Sequence, residues 1–306
     1  MKRCVVGVAA VAGLSASCFA QVDGSYKPAY GPALSTQVNG TQFGDSNLGV
    51  INWANGSELD AFYCYSTATH LNILLTGNLE SNYNKLELFF DNGVSGGQNK
   101  LRGDNAPVSF GGLNRMGDDG SGNGLRFDAG FLATHWLSLT GGDIGGGNYG
   151  MFVDGADLLP TGGGPGWFVG GNNGQNGGTL TGGDPGAPAV LAAINNSNTL
   201  GANGSGGFSS PPESVTTGME LSIPLAWLGV GSANGIRLTA FINGSGHDFA
   251  SNQFLAPLPA GYGNMGDPRF LDLAAVPGDQ FILIPSPGAA SFLAIGGLLA
   301  ARRRRR

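Results

Sequence analysis

The sequence predicts an all-β protein: an antiparallel β-sandwich, jelly-roll-like, with a Gly-rich insertion, preceded by a signal helix and followed by a short C-terminal hydrophobic helix. Three observations predict it. Apolar and polar residues alternate with period two through several short segments, as they do in strands buried on one face. Glycine occupies 56 of 306 positions, and inside a helix each would cost about 1 kcal/mol relative to alanine. Clusters of Gly, Asn and Asp divide the alternating segments at the spacing of turns between short strands.

At the N-terminus, Lys2 and Arg3 precede an apolar stretch over residues 5–14, and Cys18-Phe19-Ala20 places small residues at the two positions a signal peptidase reads. Cleavage after Ala20 leaves Gln21 as the mature start, so export is expected. Cys4 and Cys18 lie in or beside this leader, which leaves Cys64 alone in the body. No disulfide can form within the mature chain, and Cys64 reads as a small apolar core residue.

The body, residues 21–284, is long enough for one large β domain. Residues 59–66, 71–77, 85–91 and 235–243 alternate most clearly. In the third, Leu86, Leu88 and Phe90 share one face while Lys85, Glu87 and Phe89 share the other; in the fourth, Ile236, Leu238, Ala240 and Ile242 point together. Further strands are expected at 125–131, 136–139, 149–153, 219–223 and 281–284. Helix is scarce: Pro224 to Gly229 suits one turn, with proline preset at its start and glycine closing it, and 187–195 is a second candidate. Residues 141–207 are Gly- and Asn-rich and read as an insertion carrying one or two docked strands, since Trp167, Phe168 and Val169 interrupt the polar run.

Leaving aside the basic residues of the two ends, eight Lys and Arg face 21 Asp and Glu. A body this acidic repels nucleic acid and anionic lipid. Calcium is the cofactor the pattern suggests: Asp118, Asp119, Ser121, Asn123 and Asp128 place oxygen side chains around a glycine-punctuated loop, although position twelve of an EF-type loop is Gly130 and not Glu. An ordinary polar turn is the competing reading. Sugar binding needs aromatic platforms beside polar groups, and Trp53, Trp136 and Trp167 are the candidates, with Asn148 and Tyr149 near in sequence. His70, His135 and His247 are isolated, and no His-Glu-x-x-His motif or Cys-x-x-Cys pair occurs. A non-catalytic role is therefore expected. Carboxylate pairs such as Asp154 with Asp157, or Asp118 with Asp119, keep a glycan-active hydrolase open as an alternative.

The C-terminus carries Pro285-Ser286-Pro287, an apolar run over 289–301 and then Arg302, Arg303, Arg304, Arg305 and Arg306. Thirteen apolar residues fall short of the roughly 20 a membrane-crossing helix needs, and the guanidinium block does not cross a bilayer. This order resembles the PEP-CTERM sorting signal of bacterial exported proteins, with Ser286 where that family has Glu. The resemblance implies transient anchoring in the inner membrane, processing by an exosortase-type membrane transpeptidase, and a final place at the cell surface or outside the cell. A plain C-terminal membrane anchor is the alternative. The body has a resemblance of its own. Glu58-Leu-Asp-Ala-Phe-Tyr, Leu71-Asn-Ile-Leu-Leu-Thr-Gly, Lys85-Leu-Glu-Leu-Phe-Phe-Asp and Met219-Glu-Leu-Ser-Ile-Pro look like the strand pattern of the DOMON and family-9-like carbohydrate-binding sandwiches. That resemblance speaks to fold. The expected role is structural or adhesive in the extracellular matrix, with a carbohydrate-binding module and extracellular polysaccharide as partner the first alternative.

Overall fold

The computed structural model describes residues 21–43, 56–94, 96–174, 177–198, 202 and 211–285. Its strands, in chain order, are β1 (Ser35–Thr36), β2 (Glu58–Ser66), β3 (His70–Asn78), β4 (Asn82–Asp91), β5 (His135–Asp143), β6 (Tyr149–Asp157), β7 (Gly166–Asn173), β8 (Leu191–Ile194), β9 (Gly218–Pro224), β10 (Arg237–Asn243), β11 (Ala250–Leu255) and β12 (Ile282–Leu283). They form two antiparallel sheets. One runs β1-β2-β3-β9-β8; the other runs β11-β10-β4-β5-β6-β7, with β12 beside β10. The chain is an all-β sandwich, as the alternation predicts.

The inner faces meet where the sequence pattern puts them. Leu86, Leu88 and Phe90 of β4 and Leu238, Ala240 and Ile242 of β10 pack against Leu71, Ile73 and Leu75 of β3 and Leu221 and Ile223 of β9. Each such side chain taken wholly out of water contributes about 2 kcal/mol. The outer face of the seven-stranded sheet is apolar as well, which period two alone does not reveal. Phe89, Trp136 and Phe241 there are covered by Leu101, Leu113, Phe127 and Phe131, from the irregular stretch between β4 and β5, and by Leu271 and Leu273. Tyr30, at the N-terminal side, packs over Ala61, Tyr63 and Leu74 on the outside of the five-stranded sheet.

Several expectations are corrected. The described part of residues 141–207 carries its docked strands in both sheets: β6 and β7 extend one and β8 edges the other. Glycine serves packing there, since a Cβ on Gly141 would overlap the Tyr149 ring and one on Gly166 would overlap Ala106 and Val108. Residues 187–195 contain β8 and no helix. Residues 125–131 make only isolated bridges, because Leu125, Phe127 and Phe131 turn into the outer apolar cluster instead of pairing. Pro224 to Gly229 makes its single turn, with Gly229 left-handed at φ 70°. Among the described residues no helix is long and apolar enough to cross a membrane. Ala20, Trp53, Ser286, Pro287 and Arg302 to Arg306 lie outside the described residues.

Candidate functional site

The outward face of β4 ends in polar residues, Lys85 and Glu87, next to apolar Phe89. Glu87 is 0 % exposed, and a buried carboxylate must be compensated by hydrogen bonds. Three neighbours supply them. Trp136 Nε1 donates to Oε2 at 2.9 Å, while Asn243 Nδ2 at 3.3 Å and His247 Nδ1 at 2.6 Å donate to Oε1. His247, in the turn between β10 and β11, is 2 % exposed. Its Nε2 faces Ser109 Oγ at 3.0 Å and is the acceptor of that pair in the neutral Nδ1–H tautomer. Gly112, at the start of the short helix α1 (Gly112–Arg115), lies so close over the imidazole that a Cβ would overlap Cδ2.

Ser109 opens on a cavity of about 830 Å³ between this sheet face and the loop that covers it. Tyr83, Phe110, Phe152 and Phe168 form its aromatic surfaces, and Phe110 is 99 % exposed. Lys85, Thr140, Asp154 and Asp184 supply polar groups. Phe152 and Phe168 reach it because β6 and β7 alternate: Met151, Val153 and Val169 point into the sandwich, so their neighbours point out. Asp184 accepts from the Phe168 N–H at 2.7 Å, which fixes that ring's backbone. Burial pushes the Asp154 carboxyl up, offset by the Ser109 hydroxyl and by Lys85 and His247. Burial lowers Lys85, offset by Glu87 and Asp154.

The backbone is held under strain at this site. Tyr83, Ser109, Phe110 and His247 have φ of 67°, 49°, 54° and 58°, and they are the non-glycine residues with positive φ in the described backbone. Each such residue costs about 1–3 kcal/mol, and strain of this kind gathers where side chains must be aimed.

The residues expected from sequence are placed differently. Trp136 is 0 % exposed and serves as the donor to Glu87, so it is no sugar platform. Trp167 is half-buried and packs against the sandwich core, on the face of β7 opposite Phe168. Asn148 lies at an exposed turn, and Tyr149 is buried with its hydroxyl donating to Leu79 O at 2.8 Å. The calcium set is not assembled. Asp118 accepts from Lys100 Nζ at 2.8 Å and from the N–H groups of Gly120 and Gly122 at 2.9 and 3.0 Å. Those bonds, led by Lys100, hold its carboxyl below the usual range. Asp119 accepts from Ser121 N at 3.1 Å and faces Arg269, Asn123 donates to Ser121 Oγ, and Asp128 is buried with its carboxylate accepting from Gln280 N. The loop is a turn that satisfies itself. Among the described residues no group of three or more His, Cys, Asp or Glu side chains could hold a metal ion. Asp154 and Asp157 lie on opposite faces of β6, the latter accepting from Trp227 Nε1 at 2.9 Å. Burial pushes the Cys64 thiol up to about 12, which makes it inert.

No protein-family model, curated protein or solved structure matches this chain. The site therefore stands on its own geometry. Sequence reasoning missed Ser109, His247 and Glu87 as a unit because 138 and 160 residues separate the bonded pairs. It had one usable signal for the cavity: Phe152 and Phe168 are large aromatics on the non-core parity of their strands.

Proposed function

We propose that this chain is an exported, glycan-binding surface protein, carried out by the leader that ends at Ala20 and sorted by the PEP-CTERM-like tail from Pro285 to Arg306. Its ligand site is the cavity on the outer face of the seven-stranded sheet. The observation that carries the reading is the grouping of four aromatic side chains, Tyr83, Phe110, Phe152 and Phe168, with Lys85, Thr140 and Asp154 around one open space. Sugar rings present apolar faces to aromatics and hydroxyls to polar neighbours, and this lining offers both. The acidic body favours neutral polysaccharides over anionic ones. Adhesion at the cell surface or in the extracellular matrix follows from such binding combined with export.

Affinity electrophoresis through gels containing neutral polysaccharides tests this. The protein is retarded by at least one of them, and Phe168→Ala weakens retardation about tenfold, the loss of one stacking surface worth about 1–1.5 kcal/mol. Migration unaffected by every polysaccharide, or retardation unchanged in Phe168→Ala, overturns the reading.

A further inference from the structure

Most polar clusters of this fold are closed on themselves. Glu220, for example, takes Lys27 Nζ, Tyr30 OH and the N–H groups of Asp23 and Gly24, and His135 meets Thr134 Oγ1 and packs edge-on beside Trp227. The chain from Glu87 through His247 to Ser109 differs, because its last member lines the cavity. We propose that Ser109 is the nucleophile of an ester hydrolase that removes O-acyl groups from the glycan in this cavity, with His247 as general base and Glu87 as the residue that positions His247. The proposal rests on the reading of the cavity as a glycan site and adds a reaction to it.

The distances fit the roles. A serine hydroxyl is a weak nucleophile until an imidazole nitrogen within about 2.6–3.2 Å takes its proton, and that imidazole needs a carboxylate on its other nitrogen to hold the tautomer. Ser109 Oγ to His247 Nε2 is 3.0 Å and His247 Nδ1 to Glu87 Oε1 is 2.6 Å. Glu87 is itself fixed by Trp136 and Asn243, so the imidazole has one orientation. Ser109 and Phe110 hold left-handed φ of 49° and 54° where both line the cavity, a conformation that costs a non-glycine residue free energy.

The step balances without a cofactor. Ser109 Oγ bonds to the ester carbonyl carbon as its proton passes to His247 Nε2. The carbon–alkoxide bond then breaks, and the leaving sugar hydroxyl takes that proton. Water adds to the acyl-serine, gives a proton to Nε2, and the carboxylic acid departs as the proton returns to Ser109 Oγ. Lys85 is the cation among the residues that line the same cavity. An acyl bond fits better than a glycosidic one, since Asp154 and Asp157 do not face each other across the cavity and a serine attacks acyl carbon.

The full chain is treated with a fluorophosphonate probe and mapped by mass spectrometry, and hydrolysis of 4-nitrophenyl acetate is followed in the parent, Ser109→Ala and Glu87→Gln. The expected result is an adduct on Ser109, a loss of about 10³-fold or more in kcat for Ser109→Ala, and for Glu87→Gln a lowered kcat with a displaced pH–rate profile and unchanged KM. No adduct on Ser109, or a Ser109→Ala rate within about twofold of the parent, overturns the proposal; the adduct is read on the unmutated chain, so misfolding of a variant cannot mask it. Polysaccharide retardation retained in Ser109→Ala separates the two readings: retardation without Ser109-dependent hydrolysis removes the reaction alone. Ser109-dependent hydrolysis without retardation keeps the acyl transfer and removes the glycan as its substrate.

Discussion

Asp60 offers the sharpest thermodynamic test of the sandwich. It lies in β2 where the ladder to β3 slips between Leu59 and Phe62, it is 0 % exposed, and neither carboxyl oxygen has a hydrogen-bond partner among the described residues. Burial raises this carboxyl from 3.8 to about 8. The folded chain therefore keeps a proton that the unfolded chain releases, and stability falls as pH rises between about 4 and about 8. At about 1.4 kcal/mol per pH step, the loss at pH 7 is about 4 kcal/mol. Asp60→Asn keeps the shape and cannot ionise. Urea unfolding of parent and variant from pH 4 to pH 8 should give matching stabilities at the acid end and a variant more stable by about 4 kcal/mol at pH 7. Comparing the two cancels the titration of buried groups that do not interact with Asp60, such as His135, lowered to about 4 by burial. A parent whose stability holds or rises over that range, with no gain in the Asn variant, would mean that Asp60 is ionised and held by a partner such as a cation, and the reasoning would be refuted.

Gly112→Ala drives a methyl into the His247 ring, so it should abolish labelling of Ser109 by fluorophosphonate while the chain stays folded by circular dichroism; normal labelling would show that the imidazole does not act through this contact. Asp118 and Asp119 already accept from Lys100 and backbone N–H groups and face Arg269, so millimolar calcium or a chelator should leave the Tm unchanged. A calcium-dependent rise lost in Asp118→Asn would restore that loop as a ligand set. Fractionating native cells should find the parent outside the inner membrane with its tail removed, and deletion of Arg302 to Arg306 should stop that processing; an intact chain in the cytosol would end the export reading.

Much of the fold was legible because period two is a property of the chain. Leu86, Leu88 and Phe90, or Ile236 to Ile242, face one way in the sequence and line the inner core in the structure. Where both faces are buried the signal fades. β11 reads Ala250-Ser-Asn-Gln-Phe-Leu, with polar residues at its centre, yet Ser251, Asn252 and Gln253 are buried and bonded to Ile242, Gly40 and Asn39. Trp136 failed as a sugar platform for the same reason, since the outer sheet face carries a second apolar cover. The Ser109 site was illegible for another reason. Pro107-Val108-Ser109-Phe110-Gly111 has only the second glycine of a Gly-x-Ser-x-Gly elbow, and only tertiary packing brings a turn after β10 onto the middle of β4.

The central claim is that this protein meets its ligand in the cavity beneath Phe110. Hydrogen exchange measured by mass spectrometry with and without a retarding neutral polysaccharide tests it most directly. The account predicts slowed exchange confined to residues 106–112, 152–154 and 166–168, which contribute the cavity wall. Protection that falls instead on the Asp118 loop or on the five-stranded sheet, with those three segments unchanged, would contradict it.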